Sequence, residues 1–288
     1  MANNSNEKKQ TPSLQVFNQT ITAPATQKYL ADVLGERKAS FVNNLTALVA
    51  NNLSLQECQP YTIMFAAMKA TALNLPLDSN LGFAYVIPYK DNKNGTKVAQ
   101  FQLGYKGFKQ LALRSGQFAI IPNATDVREG ELIYRNRLTG ECKFQFIDDD
   151  IERSKKKIIG YASYFRLLNG AESTFYMSAE EVQAHALRYS QTYRSKMDDV
   201  KKSSKWSTDF DDMAKKTVIK LNLSKNAPLS IEMKDAIQAD QSVMFGKDEY
   251  TYMDNESEQA MIDAQKAAAI AEKFADYDKE PEPKDNKK

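Results

Sequence analysis

The sequence predicts an α+β fold: an antiparallel β-meander packed with helices, a helical N-terminal region and a helical C-terminal part. Three observations carry this prediction. Apolar residues recur at helical spacing over residues 28–52 and 62–73. Between residues 81 and 177 the pattern changes to short strand-like runs separated by turn residues, and helical spacing returns from Ser178. Strands and helices segregated along the chain in this way make α+β architectures, because each sheet face must find a helical cover.

Residues 1–27 are rich in Asn, Thr, Gln and Ser and lack periodicity, so they read as a disordered tail. From Lys28 the residues Tyr29, Leu30, Val33 and Leu34, then Phe41, Leu45, Leu48 and Val49, define two helices broken at Gly35. Thr62–Leu73 is a buried helix whose Met64, Phe65, Met68 and Ala72 stripe belongs to the core. Leu81–Tyr89 is β-rich with Pro88 at an edge or bulge, Asn94-Gly95 suits a type I′ hairpin turn, and Val98–Tyr105 returns. The period then changes within one stretch. Phe101, Leu103 and Tyr105 alternate as in a strand, whereas Phe108, Leu111, Ala112 and Ser115 follow helical spacing. Gly104 and Gly107 permit a tight turn at the change, and Gly116 sits at the C-terminal cap.

Strands are expected at 118–127, 132–135, 143–147, 158–168 and 173–177, the last two joined by an Asn169-Gly170 turn. Ser178-x-x-Glu181 is a capping-box pattern for the following helix. Residues 188–205 are polar and basic and are expected to form a mobile loop. Thr208-x-x-Asp211 caps a helix with the apolar stripe Phe210, Met213, Ala214, Thr217, Val218 and Leu221, and Lys215, Lys216 and Lys220 fall outside that stripe. A last short helix spans Pro228–Ala239. The expected organisation is one domain over 28–245, followed by an acidic, mostly flexible and partner-binding tail over 246–288.

The 288 residues carry a formal net charge of +2, but unevenly. Residues 247–288 hold 7 Lys against 12 Asp or Glu, which leaves 32 basic and 25 acidic residues in the remainder. A basic body points to a polyanion, although the same asymmetry also serves solubility. No run of eighteen apolar residues is present, so no membrane-spanning helix is expected, and the first residues do not read as a secretion signal. Cys58 and Cys142 make no metal pattern and suit buried thiols of a cytoplasmic protein. One histidine, His185, excludes any site that needs two. The Walker A pattern, nucleophile elbow, His-Glu-x-x-His motif and dinucleotide glycine fingerprint are all missing. Asp148-Asp149-Asp150 reads as a polar turn, since neighbouring strand residues face opposite ways.

Binding chemistry remains. Lys106, Lys109, Gln110 and Arg114 lie off the apolar side of the helix after Gly104, near an N-terminus that suits a phosphate oxygen. Arg188, Arg194, Lys201 and Lys202 add charge in the basic loop, and Lys215, Lys216 and Lys220 add it in the late helix. Cations neutralise phosphates, and aromatics such as Tyr105, Tyr189 and Tyr193 can stack on unpaired bases, although each ring also suits a core.

Leu81–Tyr89, Gln102–Gly107, Leu111–Gly116 and Trp206–Thr217 are four separated stretches. Together they resemble the RecT family of phage single-strand annealing recombinases. The resemblance runs in order from about Leu55 to Ser230, and the ends before 28 and after 245 lie outside it. It implies ATP-independent coating of single-stranded DNA, annealing to a complement, and assembly into a ring or helical filament. Lys106, Gln110, Arg114, Lys215 and Lys216 match its motifs and inherit a DNA-binding role. Lys205 departs from the proline usual before the tryptophan. The implied partners are the annealed duplex, a phage 5′→3′ exonuclease and the host single-strand-binding protein, in a bacterial cytoplasm. No cofactor is expected, Mg2+ assisting only by screening DNA charge. A metal-dependent nuclease and a single-strand-binding protein without annealing activity are the competing classes; DNA cleavage would mark the first and coating that blocks annealing the second.

Overall fold

The computed structural model describes residues 11–78, 80–91, 95–246 and 249–251. In chain order the elements open with helices α1 (Pro12–Thr22), α2 (Pro24–Leu34), α3 (Lys38–Ala50), α4 (Leu53–Gln56) and α5 (Pro60–Ala72). Strands β1 (Ala84–Asp91) and β2 (Thr96–Leu103) lead to helix α6 (Tyr105–Ser115). There follow β3 (Phe118–Arg128), β4 (Leu132–Arg135), β5 (Cys142–Phe144), α7 (Asp150–Lys155), β6 (Ile158–Leu167) and β7 (Glu172–Ser178). The described chain ends with α8 (Ala179–Tyr189), α9 (Asp198–Lys202), α10 (Lys205–Thr208), α11 (Phe210–Asn226), α12 (Ile231–Ala239), β8 (Ser242–Gly246) and β9 (Glu249–Thr251). The fold is α+β, with antiparallel sheets and helices toward both ends. Two compact units partition the described residues: those within 1–77, 86–102 and 241–288, and those within 78–85 and 103–240.

In the first unit α5 is central. Every residue from Thr62 to Ala70 is buried, so the helix is covered all round. Cover comes in part from residues 11–27, which are largely helical and not the disordered tail that their composition suggests, while residues 1–10 of that expected tail lie outside the described residues. Thr11 caps α1 through its hydroxyl, Pro12 opens it, and Phe17 and Ile21 are each 1% exposed. Two buried side chains one turn apart hold a helix whose intrinsic signal is weak. The sheet of this unit runs β1-β2-β8-β9, and β8 pairs antiparallel to β2 with Phe101 opposite Ser242. The expected turn at Asn94 lies outside the described residues, as does the tail from 252 onward.

The second unit has its own three-stranded sheet, β3-β6-β7, so the expected single meander is in fact divided among separate sheets. One face of this sheet carries Tyr161, Phe175 and Met177, which pack with Val182 and Ala186 of α8, Trp206 of α10, and Ala214 and Val218 of α11. The other face carries Ala162 and Tyr176, covered by Leu132, Cys142 and Phe144 of the β4–β5 hairpin. Adjacent residues on β6 thus serve opposite cores, as strand geometry requires. The Ser178–Glu181 capping box forms in full at the start of α8. The stretch 188–205, expected as a loop, instead carries α9 and the first residue of α10, with Ser204 capping Trp206. The expected Thr208 cap of α11 is replaced by Asp209 at the N-cap, while Thr208 donates to the Asp209 carboxylate (2.7 Å).

Candidate nucleic-acid interface

Helix α6 buries Gly107, Phe108, Leu111 and Ala112 and turns the opposite side outward. Lys106 and Arg114 are exposed, Lys109 and Gln110 are half-buried, and Leu113 is 58% exposed. Positions 106, 109, 110, 113 and 114 follow i, i+3, i+4, i+7 and i+8 spacing, so they form one ridge. The ridge is anchored on β3, where Asn123 Oδ1 accepts from the Tyr105 hydroxyl at 2.8 Å and from Lys109 Nζ at 3.4 Å. Lys109 Nζ also stands 5.3 Å from the Tyr105 ring centroid, on a face that a stacking base would otherwise use.

The glycines flanking the start of α6 act through close approach. Gly104 has φ −82 and ψ 166, a conformation open to any residue. A Cβ on it would meet the Gly82 carbonyl oxygen at 2.0 Å, and one on Gly107 would meet the Phe83 carbonyl oxygen at 2.2 Å. The Gly104 N–H donates to Phe83 O at 2.8 Å. The backbone of residues 82–83 therefore lies directly against the entry of α6, which fixes where Lys106 emerges. Gly116 does adopt the left-handed cap conformation, with φ +65.

The late helix corrects part of the expected site. The buried face of α11 includes Lys216 together with Ala214, Thr217, Val218, Ile219, Asn222 and Leu223. Lys216 therefore does not lie off the apolar side. Its Nζ is 3.8 Å from Asp240 Oδ1, and Lys220 Nζ is 2.5 Å from Asp240 Oδ2. Asp240 has no solvent exposure, and its Oδ1 also accepts from the Leu103 N–H at 2.8 Å. Burial opposes ionisation of this carboxyl, but the two ammonium groups and the Leu103 N–H outweigh it and hold it below the usual carboxylate range. Burial also pulls Lys216 below an ordinary lysine despite Asp240. Lys216 and Lys220 thus neutralise an internal carboxylate, which gives a cause for the place of Lys216 in the motif that sequence spacing does not reveal. Lys215, one position away, is half-buried on a different side.

The remaining sequence-derived candidates are exposed. Arg188 stacks over the Tyr189 ring at 5.4 Å, Lys201 over Tyr193 at 5.7 Å, and Arg194 donates to the Arg188 carbonyl at 3.2 Å. Lys202 closes α9. Sequence reasoning missed Asp240 and Asn123, because each acts through a partner far away in the chain.

His185 reports on this cationic region. Its ring lies 4.5 Å from that of Tyr189. Burial, then Lys220, Arg188 and Lys225, bring its pKa down to about 4. The unfolded chain takes up this proton near the ordinary value of about 6.5. The neutral imidazole therefore contributes stability that is complete above pH ~6.5 and is lost as pH falls toward ~4. The single histidine resonance should titrate near pH 4 in the folded protein, and His185→Gln should lose less melting temperature than the parent between pH 7 and pH 5. An imidazole midpoint near 6.5 would contradict this environment.

Residues 39–260 match the model of the RecT family. The chain is 40% identical over 217 residues to the uncharacterized protein YqaK of Bacillus subtilis strain 168, covering 75% of this chain and 69% of that protein. It is 28% identical over 259 residues to protein RecT of Escherichia coli K12, covering 83% of this chain and 88% of that protein.

Proposed function

The chain belongs to the RecT family, and from this membership we propose that it binds single-stranded DNA and anneals complementary strands, without ATP, in phage homologous recombination. The observation that carries the reading is the outward ridge of α6. It gathers Lys106, Lys109, Gln110 and Arg114 on one helix face beside Tyr105. Lysine and arginine along one face follow a phosphate backbone by releasing counterions and carry no base preference. Lys215 extends the cationic set, and Arg188, Arg194, Lys201 and Lys202 serve as further phosphate contacts. Lys216 and Lys220 contribute through Asp240, and their DNA-binding role is correspondingly indirect.

In this reading the protein works as a ring or helical filament in the bacterial cytoplasm, without a cofactor, Mg2+ only screening the strands. It holds both the single strand and the annealed duplex, and meets a phage 5′→3′ exonuclease and the host single-strand-binding protein. No helix among the described residues is long and apolar enough to cross a membrane.

The test mixes complementary fluorescent oligonucleotides with the protein, without nucleotide. Pairing should proceed and the strands should remain intact; strict ATP dependence or strand shortening would overturn the proposal. In the Lys106→Ala/Lys109→Ala/Arg114→Ala variant, three lost phosphate contacts should lower the slope of log affinity against log salt by about 2, at ~0.7 per contact on single strands. Weakening should be equal for all sequences, and the assembly state should be measured alongside. A parental slope with normal assembly would remove this ridge from the interface.

A further inference from the structure

Strand β7 lies at one end of the β3-β6-β7 sheet, and no strand among the described residues pairs with its outer edge. The opposite edge, on β3, is interrupted by Pro122 and by three register shifts, devices that discourage a further strand. β7 has none of these: seven consecutive residues pair with β6 without a shift. Its hydrogen-bonding phase is set at the hairpin, where the Leu167 N–H donates to Ala171 O at 2.7 Å. Alternation from that pair turns the main-chain groups of Glu172, Thr174 and Tyr176 away from β6. Two contacts agree with this phase. Tyr176 O accepts from Arg135 Nη2 at 3.5 Å, and the Ser178 N–H donates to Glu181 at 2.7 Å, both on the outer side.

An open cleft of about 880 Å³ follows this edge. The β4–β5 hairpin forms one wall and the end of α11, at Lys225 and Asn226, forms the other. Of the acids in its lining, Glu141 and Glu181 each have a cationic partner, whereas Glu172 keeps its charge beside a phenol. Glu141 pairs with Lys143, Glu172 accepts from the Tyr164 hydroxyl, and Glu181 is held by Arg135 and the Ser178 N–H. Arg137 on the hairpin wall and Lys225 on the helix wall have no ion-pair partner among the described residues. The two walls are therefore both cationic, and they flank the outward main-chain groups of Glu172 and Thr174 and the Tyr176 N–H, the Tyr176 carbonyl being held by Arg135.

We propose that this cleft takes an acidic protein segment in extended form, added as a fourth strand beside β7. The edge offers N–H and C=O groups alternately over Glu172–Tyr176, about 13 Å of strand at ~3.3 Å per residue. A peptide backbone matches that alternation on its own, whereas a nucleic-acid backbone supplies acceptors alone. Side chains of an added strand alternate between the two walls, so acids on either side meet Arg137 or Lys225. The site is separate from the α6 ridge and does not depend on the DNA reading.

The test uses the full chain without DNA and a fluorescent peptide of about nine residues in which adjacent pairs of aspartates are separated by single valines, so that both faces of the strand carry acid. Anisotropy should show binding. A probe with lysine for aspartate, and an acidic probe with N-methylated amides, should each bind at least about tenfold more weakly. Arg137→Glu/Lys225→Glu changes only exposed side chains and should weaken the acidic probe by a similar factor, about tenfold, with an unchanged circular dichroism spectrum. Amide hydrogen exchange at Thr174 and Tyr176 should slow when the probe is bound. No binding, equal binding of the N-methylated probe, or an unaffected double variant would overturn the proposal. Protection of the same amides by oligothymidylate in place of the peptide would also overturn it.

Discussion

Asp240→Ala is expected to lower the stability of the second unit by about 3–5 kcal/mol, the usual cost of removing one partner from a buried charge cluster. Asp240 is fully buried, faces the ammonium groups of Lys216 and Lys220, and accepts from the Leu103 N–H. Its loss leaves two like charges close together and a buried N–H unpaired. Lys216→Ala removes one of the two compensating cations and should cost less, since Lys220 still meets the carboxylate at 2.5 Å. Lys215→Ala, at a half-buried position with no ion pair among the described residues, should stay within about 0.5 kcal/mol. The single tryptophan, Trp206, is buried in this unit, so urea unfolding followed by its fluorescence reads the effect directly. A parental unfolding midpoint for Asp240→Ala would show that the cluster contributes nothing. Any loss of DNA binding in a Lys216 variant has to be separated from this destabilisation, whereas the exposed Lys106 allows a cleaner comparison.

Gly104→Ala is the second large effect, at about 1–3 kcal/mol or more, as for overpacked sites. The added methyl would lie 2.0 Å from the Gly82 carbonyl oxygen and 2.8 Å from its carbon. Both obstacles are backbone and cannot rotate away. The Gly104 N–H bond to Phe83 O would lengthen as the strands separate, and the start of α6 would shift with it. Gly116→Ala provides the contrast, because nothing lies within 4 Å of its added Cβ. That change should cost only about 1–2 kcal/mol for a left-handed backbone at φ +65. If Gly104→Ala unfolds at the parental urea concentration, close approach is not why glycine stands there.

Much of the local structure was legible in the chain itself. The Ser178–Glu181 capping box and the glycine cap at 116 rest on residues within four positions of one another and form as expected, and the change from strand to helix beside Gly104 comes one residue earlier than expected, with Tyr105 already helical. The α6 ridge was readable for the same reason, since one helix face follows from spacing. What failed were expectations that needed a distant partner. The helix at 12–22 looked disordered because only Phe17 and Ile21 supply its buried anchors, and their value depends on what they pack against. Strand β8 has only Val243, Met244 and Phe245 as an apolar signal, too short to name without its partner Phe101–Gln100.

The sequence by itself determined the α+β class, the family, the helix caps and the polar face of α6, all properties of neighbouring residues or of ordered motifs. Tertiary structure alone decided which lysines of the late helix meet solvent. Helical periodicity gives angles around an axis, but the buried arc is set by what surrounds that axis. Asp240 lies 20 residues beyond Lys220 and 137 beyond Leu103, yet all three meet at one carboxylate. A buried carboxylate must be neutralised, so it draws Lys216 and Lys220 inward and leaves Lys106 and Arg114 outside.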